Sequence, residues 1–462
     1  MKNPIIKSLV IILFAVCSFS NTSSPAEKNI QKCTEFSSIG LHAPAIEQCQ
    51  KAISDGVDSE KEFELLYYLA NSYSSINKNV MAGEIMNTLL KGKPSITAED
   101  YYLAGLIENK LNNYDSAIGF FEEAIRAGDN SINIKRQLAS ALFKSGDTRK
   151  ANLILTGIFF EDSSDTQSMT QLSENLIAEG NFPKAKTITE RIIRINPSYS
   201  YAYYLKYIIS IKEGDSQDAL RNINKAIMRD RKNSRYLAEK VKILSDNKKY
   251  DLAKYNLAKI EELNPNAKVV PILLENILDL QAADLHSDAR KMVKLKNYKD
   301  ALTNYNKAIK LNPSDATLYF ERGQLLSILE SYDQAENDLV TASSLNQNLA
   351  DSGINLMLGK IYYKLGKSNK SIFHMDKELA INANNHEALL WQIRSHSEAG
   401  QYNFAEDYAK KLIEIDPESP DGYSILGDIN LMKGDIQKSN ELHDKVIELD
   451  PNYNIATRSK LE

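Results

Sequence analysis

Between residues 297 and 313, Tyr298, Ala301, Leu302, Tyr305, Ala308 and Ile309 stand at intervals of three and four, separated by polar residues and closed by Asn312-Pro313. That spacing predicts an amphipathic helix with one apolar face, and the proline ends it because it cannot continue a helix. Its small residues, Ala301 and Ala308, allow a second helix to approach closely. The first alanine of this pattern returns at Ala45, Ala82, Ala117, Ala151, Ala185, Ala219, Ala253, Ala301, Ala335 and Ala405, with Ser371 and Ser439 in the two remaining places. The steps are 37, 35, 34, 34, 34, 34, 48, 34, 36, 34 and 34 residues.

Two further markers keep the same register. Closing prolines recur at Pro197 and Pro265, 68 apart, and at Pro417 and Pro451, 34 apart. Turn signals stand at Gly146-Asp147, Gly180-Asn181, Gly214-Asp215 and Gly434-Asp435. Glycine there supplies the left-handed end of one helix, and the following Asp or Asn caps the next. The chain is therefore built from repeated helical hairpins.

A 34-residue period with two helices per unit resembles the tetratricopeptide repeat. The family's aligned residues are visible as Leu69-Ala70, Tyr73, Ala82 and Pro94; as Tyr101, Gly105, Ala117, Phe121 and Ala124; as Leu358-Gly359 and Tyr362; and as Tyr423, Leu426-Gly427 and Pro451. The resemblance implies an all-α superhelical solenoid of about twelve stacked hairpins. Its units are 26–59, 63–96, 98–131, 132–165, 166–199, 200–233 and 234–267, then 282–315, 316–349, 352–385, 386–419 and 420–453. Residues 268–281 are an insertion of 14 residues. With no Gly or Pro between Pro271 and Asn297, one long helix is expected over about 272–296, dividing an N-terminal solenoid (21–267) from a C-terminal one (282–453). Residues 454–462 read as a polar capping helix, which solenoid ends require.

The first twenty residues differ in kind. Lys2 and Lys7 precede an apolar run from Leu9 to Val16, followed by small residues to Ser20, the pattern of an export signal. The run is shorter than the roughly 20 residues a membrane-spanning helix needs. Cleavage near Ser20 and acylation at Cys17 both remain open. Phe14-Ala15-Val16-Cys17 resembles the lipobox of bacterial lipoproteins, although that pattern has Leu and a small residue where Phe14 and Val16 stand. The expected location is the periplasm or cell envelope, with membrane attachment only through such a lipid.

Removing residues 1–20 takes away two lysines and no acid, moving the net charge from −5 to −7. A charge of that sign argues against nucleic acid as a partner. Cys33 and Cys49 fall at positions eight and twenty-four of the first unit, which face one another in the hairpin that the resemblance implies. A disulfide is expected there, consistent with export.

No phosphate-binding glycine loop, Gly-x-Ser-x-Gly, His-Glu-x-x-His or Cys-x-x-Cys motif occurs. The six histidines are scattered, so no catalytic residue, metal or cofactor is expected. Binding is the expected activity. In the family the inner face presents positions two, five, nine, twelve and thirteen of each first helix. Here these include Tyr67, Tyr102, Arg136, Tyr201, Tyr204 and Ile208, an aromatic groove by implication. A second cluster holds Phe320, Lys360, Tyr363, Lys364, Trp391 and Arg394. The expected partners are protein or peptide segments, with an envelope polysaccharide as the alternative. The Lys-and-Asn pair with which some tetratricopeptide domains clamp a chaperone's C-terminal carboxylate is missing from positions five and nine of every unit.

Overall fold

A computed structural model describes residues 25–346 and 353–453, and the expected export signal at residues 1–20, with Cys17, and the expected capping helix at 454–462 lie outside them. The described residues form two compact units that divide between Tyr236 and Leu237. The 14-residue insertion therefore lies inside unit 2.

Unit 1 runs through α1 (Pro25–Ser38), α2 (His42–Ser54), α3 (Ser59–Ser75), α4 (Asn79–Gly92), α5 (Ala98–Lys110), α6 (Tyr114–Arg126), α7 (Ile132–Ser145), α8 (Thr148–Glu161), α9 (Thr166–Ala178), α10 (Phe182–Ile195), α11 (Ser200–Lys212) and α12 (Ser216–Arg229), and ends within α13 (Ser234–Asp246). Unit 2 takes up α13 and continues with α14 (Tyr250–Leu263), α15 (Val269–Lys294), α16 (Tyr298–Leu311), α17 (Ala316–Ile328), α18 (Tyr332–Leu345), α19 (Ile354–Lys364), α20 (Ser368–Ile381), α21 (His386–Glu398), α22 (Tyr402–Ile415), α23 (Pro420–Lys433) and α24 (Ile436–Leu449). The fold is an all-α repeat solenoid, and no strand occurs among the described residues.

The period marker is buried in every described hairpin. All ten marker alanines are 0% exposed, and Ser371 and Ser439 in their places are buried too. A residue larger than alanine would push the two helices of a hairpin apart, so the periodicity is a steric requirement. Ser371 is accommodated because its hydroxyl donates to the Gly359 carbonyl at 2.8 Å.

Each hairpin turns through one residue of left-handed backbone. These are Gly40, Asn77, Asn112, Gly146, Gly180, Gly214, Lys248, Lys296, Glu330, Gly366, Gly400 and Gly434. Seven are glycine, which adopts this conformation freely; Lys248, Lys296 and Glu330 adopt it at a steric cost.

Within unit 1 the first helices of successive hairpins also touch one another, α1 with α3, then α5, α7, α9 and α11; in unit 2 the same holds for α17, α19 and α21. First helices therefore form a common face from α1 to α11 in unit 1 and from α17 to α21 in unit 2. The insertion does become one helix, the 26-residue α15. It begins at Val269, ahead of Pro271, because a first-turn proline breaks no helical hydrogen bond. None of the described helices is long and apolar enough to cross a membrane.

Candidate partner-binding faces

On the first-helix face of unit 1, α3 and the turn into α5 enclose a cleft of about 740 Å³. Phe63, Tyr67 and Tyr68 line it together with Glu60, Glu64 and Glu99. Tyr68 meets Tyr67 edge-on at 5.7 Å. Asp100 also lines the cleft, but Lys93 pairs with it at 2.5 Å and Thr97 donates to it from both backbone and hydroxyl. Burial pushes the Tyr67 hydroxyl's pKa up, and the negative charges of Glu99 and Asp100 push it further.

Tyr102 of α5 is half-buried, with its hydroxyl accepting from Asn133 at 2.6 Å. Arg136 of α7 is half-buried, and its Nε meets no acceptor among the described residues. Tyr201 donates to Glu174 at 2.6 Å, and burial together with that carboxylate raises its pKa.

Tyr204 differs from the sequence expectation. It is 4% exposed, with Tyr236 stacked on it at 5.1 Å, Tyr201 and Tyr207 each at 5.6 Å, and the Arg235 guanidinium 4.9 Å from its ring. It packs the solenoid and presents nothing to a partner, because α13 brings Arg235 and Tyr236 over it. The aromatic surface of α11 reduces to Tyr201, with Ile208 half-buried.

In unit 2 a cleft of about 460 Å³ is floored by Leu390, Ile393, Ile425, Ile429 and Met432 and edged by Tyr363, Arg394, Glu398, Asp428 and Tyr453. Burial and a hydrogen bond with Glu398 raise the Tyr363 hydroxyl's pKa. Tyr363 meets Trp391 edge-on at 5.3 Å, and the Arg394 guanidinium lies 4.8 Å from the Trp391 ring. Asp428 faces His443 at 3.3 Å. The structure thus gathers Tyr363, Trp391 and Arg394 into one place.

The rest of that predicted cluster is dispersed. Lys360 is engaged by Glu387, Lys364 is exposed, and Phe320 is half-buried against the core cluster that includes Leu326. Sequence reading missed Asp428 and Met432, although they occupy positions nine and thirteen of unit 420–453, and it missed Glu64 and Glu99 at position two of their units. The same positional rule that selected Tyr67 would have selected all four.

Comparison with known proteins agrees with this architecture. Family models described as "TPR repeat" and "Tetratricopeptide repeat" match residues 290–327 and 99–127. The chain is 21% identical over 353 residues to the DnaJ homolog subfamily C member 7 homolog of Dictyostelium discoideum, across 75% of this chain and 59% of that protein. It is 22% identical over 184 residues to anaphase-promoting complex subunit 3 of Schizosaccharomyces pombe, across 40% of this chain and 25% of that one. The chain thus matches less than two thirds of the length of either relative. Among solved structures, the tetratricopeptide protein YrrB aligns at 23% identity over 44% of this chain and 97% of its own, with a TM-score of 0.34. The C-terminal part of a repeat protein from Cytophaga hutchinsonii aligns at 16% identity over 53% of this chain and 98% of its own, with a TM-score of 0.42. The two family-model matches show that the chain carries tetratricopeptide repeats, and proteins built from such repeats commonly mediate protein–protein interaction.

Proposed function

We propose that this protein is a non-enzymatic scaffold of a bacterial cell envelope that holds segments of partner proteins against its first-helix faces. The observation that carries the reading is the unit 2 cleft, where Met432 is exposed and Leu390 and Ile425 are half-buried over a floor completed by Ile393 and Ile429, with Arg394, Glu398 and Asp428 around it. Such a surface leaves apolar area uncovered while placing both signs of charge around it, the arrangement of a protein-recognition patch. Export is supported by the leader pattern at residues 1–20 and by the Cys33–Cys49 disulfide, since such bonds persist in oxidising compartments. N-terminal sequencing of the protein recovered from cells tests this part. A start near residue 21, or a lipid on Cys17, supports export, whereas a chain starting at Met1 in the cytoplasm overturns it.

A polysaccharide partner is the less favoured reading. Sugar rings need an open aromatic face, and here Arg394 covers one face of Trp391 while Tyr363 abuts that ring. Selection of binding segments from a displayed random-peptide library, followed by Met432→Asp, tests the protein reading. Enriched peptides whose binding is abolished by the substitution support it; no enrichment, or binding indifferent to Met432, contradicts it.

A further inference from the structure

The unit 1 cleft differs in chemistry from the one in unit 2. Its floor is aromatic, its lining includes four carboxylates, and its single cation, Lys93, is already consumed by Asp100. Lys93 and both Thr97 groups converge on the Oδ2 of Asp100, which is buried, so the cleft's accessible negative charge comes from the three glutamates. Glu60, Glu64 and Glu99 are exposed at the mouth, and no ion pair engages any of them among the described residues. The Tyr67 hydroxyl, half-buried in the same cleft, also has no hydrogen-bond partner there.

Three like charges held around a common opening repel one another, and no ion pair among the described residues offsets them. Aromatic faces and carboxylates together favour one kind of visitor. An ammonium or guanidinium gains from the ring quadrupole and from the carboxylates at once, and its aliphatic stem covers the tyrosines. A volume of about 740 Å³ accommodates several side chains, more than one free ion needs.

We infer that the cleft between α3 and α5 docks a lysine- or arginine-bearing segment of a partner protein, held by Glu60, Glu64 and Glu99 over Phe63, Tyr67 and Tyr68. The inference rests on the scaffold reading above and names the partner chemistry for a different surface of the chain. Acidic segments are disfavoured by the same charges, so the cleft selects partners by sign.

The test uses the full chain without its leader and a dye-labelled lysine–alanine peptide, with a glutamate–alanine peptide for comparison, read by fluorescence anisotropy. The lysine peptide is expected to bind, with affinity falling as salt rises. The triple substitution Glu60→Gln, Glu64→Gln and Glu99→Gln weakens it by about tenfold, the sum of three partly screened contacts. Tyr67→Ser weakens it too, with the charges intact. A control triple at the exposed Glu261, Glu262 and Glu275 of unit 2, and Met432→Asp in the other cleft, leave it unchanged. Equal binding of both peptides, no binding of the lysine peptide, or equal loss in the control triple overturns the inference. If the library peptides still depend on Met432 in that event, the scaffold reading stands and only this assignment falls.

Discussion

Cys33 and Cys49 are joined across the first hairpin at the two places that Gly105 and Phe121 occupy in the third. The two cysteines are 16 residues apart, their Cα atoms are 5.0 Å apart, and both are fully buried. The same pair of positions holds Ser173 and Thr189, hydrogen-bonded at 2.7 Å, and Gly323 against Leu339. One contact between the helices of a hairpin is thus met by a covalent bond, a polar pair or a small residue under a large one.

Replacing Cys33 and Cys49 by Ser removes a loop constraint worth on the order of 3 kcal/mol. The effect stays local because a terminal repeat has one neighbour only. Hydrogen exchange is expected to accelerate in α1 and α2 and to remain unchanged beyond α5. Acceleration spread evenly over unit 1 would contradict the local account.

The third hairpin supplies a volume test. A Cβ on Gly105 would lie 2.6 Å from the Phe121 ring, a contact that cannot be held. Gly105→Ala is expected to destabilise by about 1–3 kcal/mol. Adding Phe121→Leu should recover part of that loss in denaturant unfolding, giving a non-additive pair. Strict additivity would show that the two positions do not meet.

Two hairpin turns are improvable. Glu330 and Lys296 hold left-handed backbone at φ 56° and 60°. Changing either to Gly is expected to stabilise by about 0.5–1 kcal/mol, the steric relief less the added freedom of the unfolded chain. A rise in thermal midpoint checks it, and a fall refutes the strain.

Acid weakens unit 2 in two stages. Burial is the largest influence that holds the His374 imidazole down at about 4, with Lys377 and Lys370 adding to it. Burial pushes the Glu321 carboxyl up, yet hydrogen bonds from His286, Arg290 and Tyr305 outweigh it and hold the group at about 2. For both, the unfolded chain takes up protons more readily, so stability falls with pH. The histidine contribution is complete above its ordinary 6.5 and lost toward 4; the carboxylate contribution is complete above its ordinary 4.5 and lost toward 2. Hydrogen exchange in α17–α20 of the full chain should accelerate across both ranges. Glu321→Gln should reduce the lower stage, with Glu336 and Glu406 sustaining the rest, and protection that rises in acid would contradict the sign.

Much of the fold was legible because alanine at the hairpin contact is a steric necessity, and a necessity repeats. The turns were legible only where glycine occupies them. Lys248, Lys296 and Glu330 take the same backbone with no compositional sign, so their role emerges only from the dihedral angles. For the faces, position within a unit picked out Tyr67, Tyr363 and Arg394, which line clefts, but gave no sign of the burial of Tyr204. That burial depends on which side chain the next unit places above, and a positional rule has no term for a neighbour such as Tyr236.

Partner proteins are proposed to lie on the first-helix faces. Photocrosslinking in cells tests this placement most directly, with the reactive residue placed at Tyr363 in the unit 2 cleft or at Tyr255, which is 60% exposed on second helix α14. The account predicts a discrete, identifiable protein captured from position 363, absent from position 255 and lost with Met432→Asp. Equal capture from both positions, or none from 363, would contradict it.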